Sequence, residues 1–211
     1  MSEPSERELS PEESLQLITR QQHHANRKLG GHHLWYWTPW GVTWLISFGL
    51  FFLYYGLDGA PYVAMPQAVP LIVLFSLMLV AISWTAFIGI RSTRHIQGAS
   101  STQGMMFGFT WTFGFLTVIA TGIYFKDFIP EDQIGLLWAG LSVGVTGMLY
   151  MAGAAIFNDR SMFGLGLWIS VVNAIGITAG PGWHALLTAT AGGGGMLLGG
   201  LVLHMHDRGR S

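Results

Sequence analysis

Cysteine is absent from all 211 residues, which excludes a disulfide framework, a thiolate metal site and a cysteine nucleophile. Charge is nearly as scarce. Asp, Glu, Lys and Arg make up 10% of the chain against a hydrophobic share of 51%, too little to solvate a soluble domain of this size. The charges almost cancel, 10 basic against 11 acidic, so no basic surface for nucleic acid is expected. The first 36 residues are polar and lack the short apolar core and small-residue cleavage site of a secretory signal. The first hydrophobic segment is therefore expected to act as an uncleaved signal anchor.

What is present is apolar length. Stretches long enough to cross a hydrocarbon core, which takes roughly 17–25 helical residues, run over 37–56, 68–90, 104–125, 133–157, 162–179 and 183–203. None contains Asp, Glu, Lys or Arg, each of which would cost on the order of 2.5–3.5 kcal/mol at a helix centre. The expected fold is an all-α integral membrane protein of about six transmembrane helices over 37–203, embedded in a lipid bilayer. Residues 1–36 form an N-terminal segment and 204–211 a short tail. Gly180-Pro181-Gly182 supplies turn geometry and predicts a tight hairpin between the last two spans. Basic residues set the orientation, because cytoplasmic loops retain them. With both termini inside, Arg7, Arg20, Arg27, Lys28, Arg91, Arg94, Arg160, Arg208 and Arg210 are cytoplasmic and Lys126 alone is outside.

The N-terminal segment has its own helix signal. Ser10-Pro11-Glu12-Glu13 reads as an N-cap, a proline at the first helical position and a capping box. Gly30-Gly31 offers a stop, so a cytoplasmic helix is expected over about 11–29. Leu15, Ile18 and Leu29 lie on its apolar seam with Gln22 and Ala25. That seam would either rest on the bilayer or dock a partner protein or a second copy of the chain.

Several constellations suggest chemistry. His23, His24, His32, His33, His95, His204 and His206 would all lie on the cytoplasmic side, but adjacent histidines point in different directions on a helix, so no metal site is expected. No cofactor is expected either. Small residues dominate: Gly104-x-x-x-Gly108, Gly140-x-x-x-Gly144 and Gly195-x-x-x-Gly199 place glycines one turn apart, where helix backbones can touch. Gly192 to Gly195 form an unbroken block in the last span, which implies very close packing or a deliberately weak helix. Transporters place such weak helices at midplane substrate sites, and Asn173, Ser142, Thr146 and Thr188 are the candidate lining residues. Trp44, Trp84, Trp111 and Trp168 lie at one depth with Tyr150, as an interfacial girdle or as an aromatic constriction. Trp35 followed by Gly41-Val42-Thr43 returns as Trp138 followed by Gly144-Val145-Thr146, a spacing compatible with an inverted repeat.

Two resemblances follow from these residues. Gly140-Leu141-Ser142-Val143-Gly144 with His184 resembles the rhomboid intramembrane proteases, where a serine in a glycine-rich fourth helix is paired with a histidine on the sixth. Here Val143 follows the serine, the first loop is short and the second span lacks a His-x-x-x-Asn pair. No enzyme is therefore expected, and an intramembrane serine protease stays a minor alternative. The charged 12–28 helix, the entry Trp35-Tyr36-Trp37-Thr38-Pro39-Trp40-Gly41 and Asn158-Asp159-Arg160 before Gly164-Leu165-Gly166-Leu167-Trp168 resemble a set of small multi-pass membrane proteins from actinobacteria, some loosely labelled transporters. That resemblance implies a transporter or channel component. The lack of intramembrane carboxylates disfavours coupled cation transport and points to a neutral or lipophilic solute. The alternative is a membrane anchor, sensor or accessory subunit that docks a partner through the N-terminal helix.

Overall fold

The computed structural model describes residues 10–17, 33–93 and 99–208, and among them every regular element is helical. The first, α1 (11–17), opens with a reciprocal cap: the Glu13 N–H donates to Ser10 Oγ at 3.2 Å and the Ser10 N–H to Glu13 Oε2 at 2.9 Å. Two orphan donors of the first turn are thereby satisfied. Then follow α2 (His33–Tyr55), α3 (Ala68–Thr93), α4 (Ala99–Phe125), α5 (Glu131–Phe157) and α6 (Arg160–Ala179). The last apolar stretch is built in three pieces: α7 (Pro181–Leu187), a π-helical segment (Thr188–Gly193) and α8 (Gly194–Arg208). Helix continues beyond Leu203, through residues that the sequence reading assigns to a tail.

Five helical stretches are long and apolar enough to cross a membrane: Ala68–Arg91, Thr102–Phe125, Glu131–Phe157, Arg160–Ala179 and Pro181–His206. The protein is membrane-embedded and multi-pass. At 23 residues α2 has the length but not the hydropathy. Trp35, Trp37, Trp40, Trp44 and its three tyrosines carry N–H and O–H groups that lower the mean, although their rings are apolar.

Short caps join the spans. Asn158 ends α5 in the left-handed region at φ 53°, and Asp159 caps α6 by accepting from the N–H groups of Ser161 and Met162 at 2.9 and 3.0 Å. Gly180, at φ 98°, makes the turn before Pro181 opens α7. α7 then folds back on α6 as the hairpin.

Tertiary packing centres on α2. It contacts α3, α7, the π segment and α8, while α6 joins α7 and the π segment to α5, and α5 packs on α4. Trp37, Trp44 and Phe48 of α2 meet Val143, Leu165, Ile169, Ala189 and Met196 in one core. The α5–α6 crossing is glycine against glycine: a Cβ on Gly166 would lie 2.7 Å from both Gly147 O and Met151 N, so only glycine allows this approach. In α3 and α4 only 6% and 11% of the span is buried. Their side chains face outward over most of the circumference.

Candidate functional site

Six polar residues are buried among the described residues: Thr43, Ser47, Thr146, Asn173, His184 and Thr188. None carries a formal charge when histidine is neutral. The hairpin turn explains why two of them meet. Asn173 precedes Gly180 by seven residues, roughly 10 Å along α6, and His184 follows it on α7. Folding α7 back brings His184 Nε2 to 2.8 Å from Asn173 Oδ1, while Asn173 Nδ2 donates to the Gly140 carbonyl of α5 at 3.0 Å. One side chain thus ties three helices together.

Glycines make room for this pair. A Cβ on Gly140 would come within 2.9 Å of Ile177 Cδ1, one on Gly144 within 3.1 Å of Asn173 Nδ2, and one on Gly176 within 2.9 Å of His184 Cα and Cδ2. The Gly140-x-x-x-Gly144 face therefore receives α6. Gly195-x-x-x-Gly199 likewise receives Trp168 and Trp37, whereas a Cβ at Gly104 or Gly108 would meet nothing within 4 Å. The Phe48 ring of α2 completes the wall, edge-on to His184 with centroids 6.2 Å apart.

Hydroxyls in a span usually donate back to the carbonyl one turn earlier. Thr146 does so to Ser142 at 2.8 Å, Thr43 to Pro39 at 2.8 Å and Ser170 to Gly166 at 2.8 Å. Ser47 Oγ and Thr188 Oγ1 differ. Both are wholly buried and neither has a hydrogen-bond partner among the described residues. Thr188 lies one turn beyond His184, at the first position of the π segment. Ser47 lies one turn beyond Thr43, whose hydroxyl also approaches the Leu77 carbonyl of α3 at 3.4 Å.

A π-helical turn inside a span is a rare geometry, frequent at functional sites. Here the glycine block permits it: Gly193 sits so close to α2 that a Cβ would lie 2.6 Å from Leu45 N and 2.8 Å from Gly41 O, and Gly192 lies against the Trp44 ring. Both sequence expectations for that block, close packing and a weakened helix, describe it.

The four tryptophans divide. Trp44 is buried in the core beside Phe48. Trp111 stacks on Phe115 and meets the edge of Tyr150 at 5.9 Å. Trp84 and Trp168 are 42% and 48% exposed and use their indole N–H groups on backbone carbonyls. Trp84 donates to Trp35 O at 3.1 Å and Trp168 to Ala191 O of the π segment at 2.8 Å. Pro39 has no N–H for the carbonyl four residues before it, and that carbonyl is Trp35, so Trp84 satisfies a group that proline orphans. The four rings line no common constriction.

Ser142 is half-buried on α5. His184 Nε2 is engaged by Asn173, and among the described residues no hydrogen bond joins it to Ser142, so the arrangement required for an activated serine is not assembled. No three His, Asp or Glu residues come together among the described residues. His23, His24, His32, His95, Ile18 and Leu29 lie outside them, while Leu15 is an exposed residue of α1. Sequence reasoning missed the Asn173–His184 pair, whose signal was two polar residues flanking one tight turn. Comparison with family models, curated proteins and solved structures finds no match to this chain.

Proposed function

We propose that this is a six-span protein of the cell membrane, with both termini cytoplasmic, that passes a small uncharged solute. α2 is the sixth span: its 23 residues reach roughly 35 Å, and it packs against α3, α7, the π segment and α8. The nine-to-one distribution of basic residues supports the orientation. The carrying observation is the buried, uncharged polar cluster of Asn173, His184 and Thr188 beside a π-helical break. A polar group held in a span without charge suits a neutral cargo, because an ion there would have no counter-charge.

Proteoliposomes test this directly. Stopped-flow light scattering with glycerol, urea and acetamide in turn is expected to show at least one solute entering several-fold faster than in protein-free vesicles, with the gain lost in His184→Leu. Equal rates for every solute with and without protein would end the reading.

A second reading is favoured by the reciprocal Ser10–Glu13 cap, more than a slack tether needs. In it α1 carries Leu15 into contact with a partner protein or another copy, and the spans serve as an anchor, sensor or accessory subunit. Loss of a co-purifying partner in Leu15→Asp, with flux absent in the wild type, would favour it.

A further inference from the structure

We infer that His184, oriented by Asn173, and Thr188 form a site for a small neutral molecule that carries an N–H or O–H donor. The cargo role of that molecule rests on the transport reading; the site itself does not. The argument starts from Gly140, whose carbonyl can only accept. The amide nitrogen of Asn173 therefore faces it at 3.0 Å, and Oδ1 faces His184 Nε2 at 2.8 Å. Oδ1 also only accepts, so Nε2 carries the ring proton. With no carboxylate among the described buried residues to balance an imidazolium, the ring is neutral and Nδ1 is a bare acceptor.

The direction of that acceptor follows from packing. The Cδ2 edge of the ring lies on Gly176 of α6, so Nδ1, on the opposite edge, is turned away from α6. Phe48 of α2 approaches the ring edge-on. One turn along the same helix face stands Thr188, wholly buried and with its hydroxyl unpartnered. An acceptor and an ambivalent hydroxyl one turn apart select a molecule able to donate. An acceptor-only solute cannot satisfy Nδ1, and a buried polar group left unpaired is what makes such discrimination steep. His184 is 2% exposed and Thr188 wholly buried, so a bulky ligand does not fit between them.

The full chain in lipid nanodiscs, labelled with 15N-histidine, tests this. His184 resonances are identified by their loss in His184→Gln. Without solute, His184 is expected in the Nε2–H tautomer. Acetamide is expected to shift Nδ1 saturably, and N,N-dimethylacetamide, the same carbonyl without a donor, to leave it in place. Thr188→Val, of the same shape, is expected to weaken the acetamide response roughly tenfold, the worth of one hydrogen bond, with the tautomer unchanged. An Nδ1–H tautomer, an equal response to both amides, no response to acetamide (a site for water alone) or an unchanged Thr188→Val titration would each overturn the site. Flux without a shift at His184 would discard the site and keep transport. A shift without flux would keep the site and discard transport.

Discussion

At the residue scale, Asn173 carries more than its own burial. Its amide bonds a backbone carbonyl of α5 and the His184 ring at once; the carbonyl keeps its own helix bond, but a membrane interior offers the ring N–H no other partner. Asn173→Ala leaves the His184 Nε2–H unpaired and takes the second donor from the Gly140 carbonyl, and is expected to cost about 1–3 kcal/mol, read from reversible unfolding in mixed micelles. A change below roughly 0.5 kcal/mol, the size of an ordinary surface substitution, would show that the bonds are not kept in the lipid-embedded protein. Several hydroxyls in the spans bond the carbonyl one turn back, as Thr146 does with Ser142, whereas Ser47 and Thr188 have no partner among the described residues. Of these two Thr188 lies one turn from His184, which brings it into the proposed site.

At the element scale, two helices carry deliberate defects and a tryptophan from a neighbour answers each. Pro39 interrupts the ladder of α2, and Trp84 of α3 reaches the carbonyl it frees. The π segment widens the last span, and Trp168 of α6 holds its Ala191 carbonyl. The first pair allows a clean test. Pro39→Ala restores an N–H for Trp35 O, so the indole is no longer needed there. Trp84→Phe is expected to cost about 1 kcal/mol in the wild type and little in the Pro39→Ala background, a coupling that a double-mutant cycle measures. Equal costs in both backgrounds would mean that Trp84 contributes by ring packing alone, for instance against Trp35, 6.1 Å away.

At the scale of the whole molecule, α2 is the hub, and α3 packs on it while α4, next in sequence, packs on α5, both with outward faces. That arrangement makes the count of spans consequential, because an α2 that did not cross would reverse every following loop. A reporter active only in the cytoplasm is expected to work when fused after Ser211 and to fail when inserted within 126–132, the loop bearing Lys126 and Asp127. Activity at both positions would remove one crossing and, with it, the opposed orientation of those loops.

Hydrophobic length and the placement of breakers determined the membrane-embedded, all-helical class from sequence alone. Five of the six anticipated stretches are spans by length and composition. Gly180-Pro181-Gly182 made the last hairpin legible because glycine frees the backbone, as at Gly180 with φ 98°, and proline fixes it, wherever they stand. The Ser10–Glu13 cap was legible for the same reason: it is a contact between residues three apart. Other features depended on which helix faces which. The Gly140 and Gly144 face was visible as a packing surface, but its partner, α6, was not, and neither was the absence of a contact at Gly104 and Gly108. The tryptophans shared a depth in the sequence, yet depth fixes only the coordinate along a helix axis. Azimuth, set by the neighbours, separated Trp44 in the core from Trp84 and Trp168 on the outside. His184 stood in the sequence as a base for Ser142, and only the fold-back of α7 onto α6 decided that its ring meets Asn173 instead, because pairing across a hairpin is set by the phase of two helices that one-dimensional spacing does not contain.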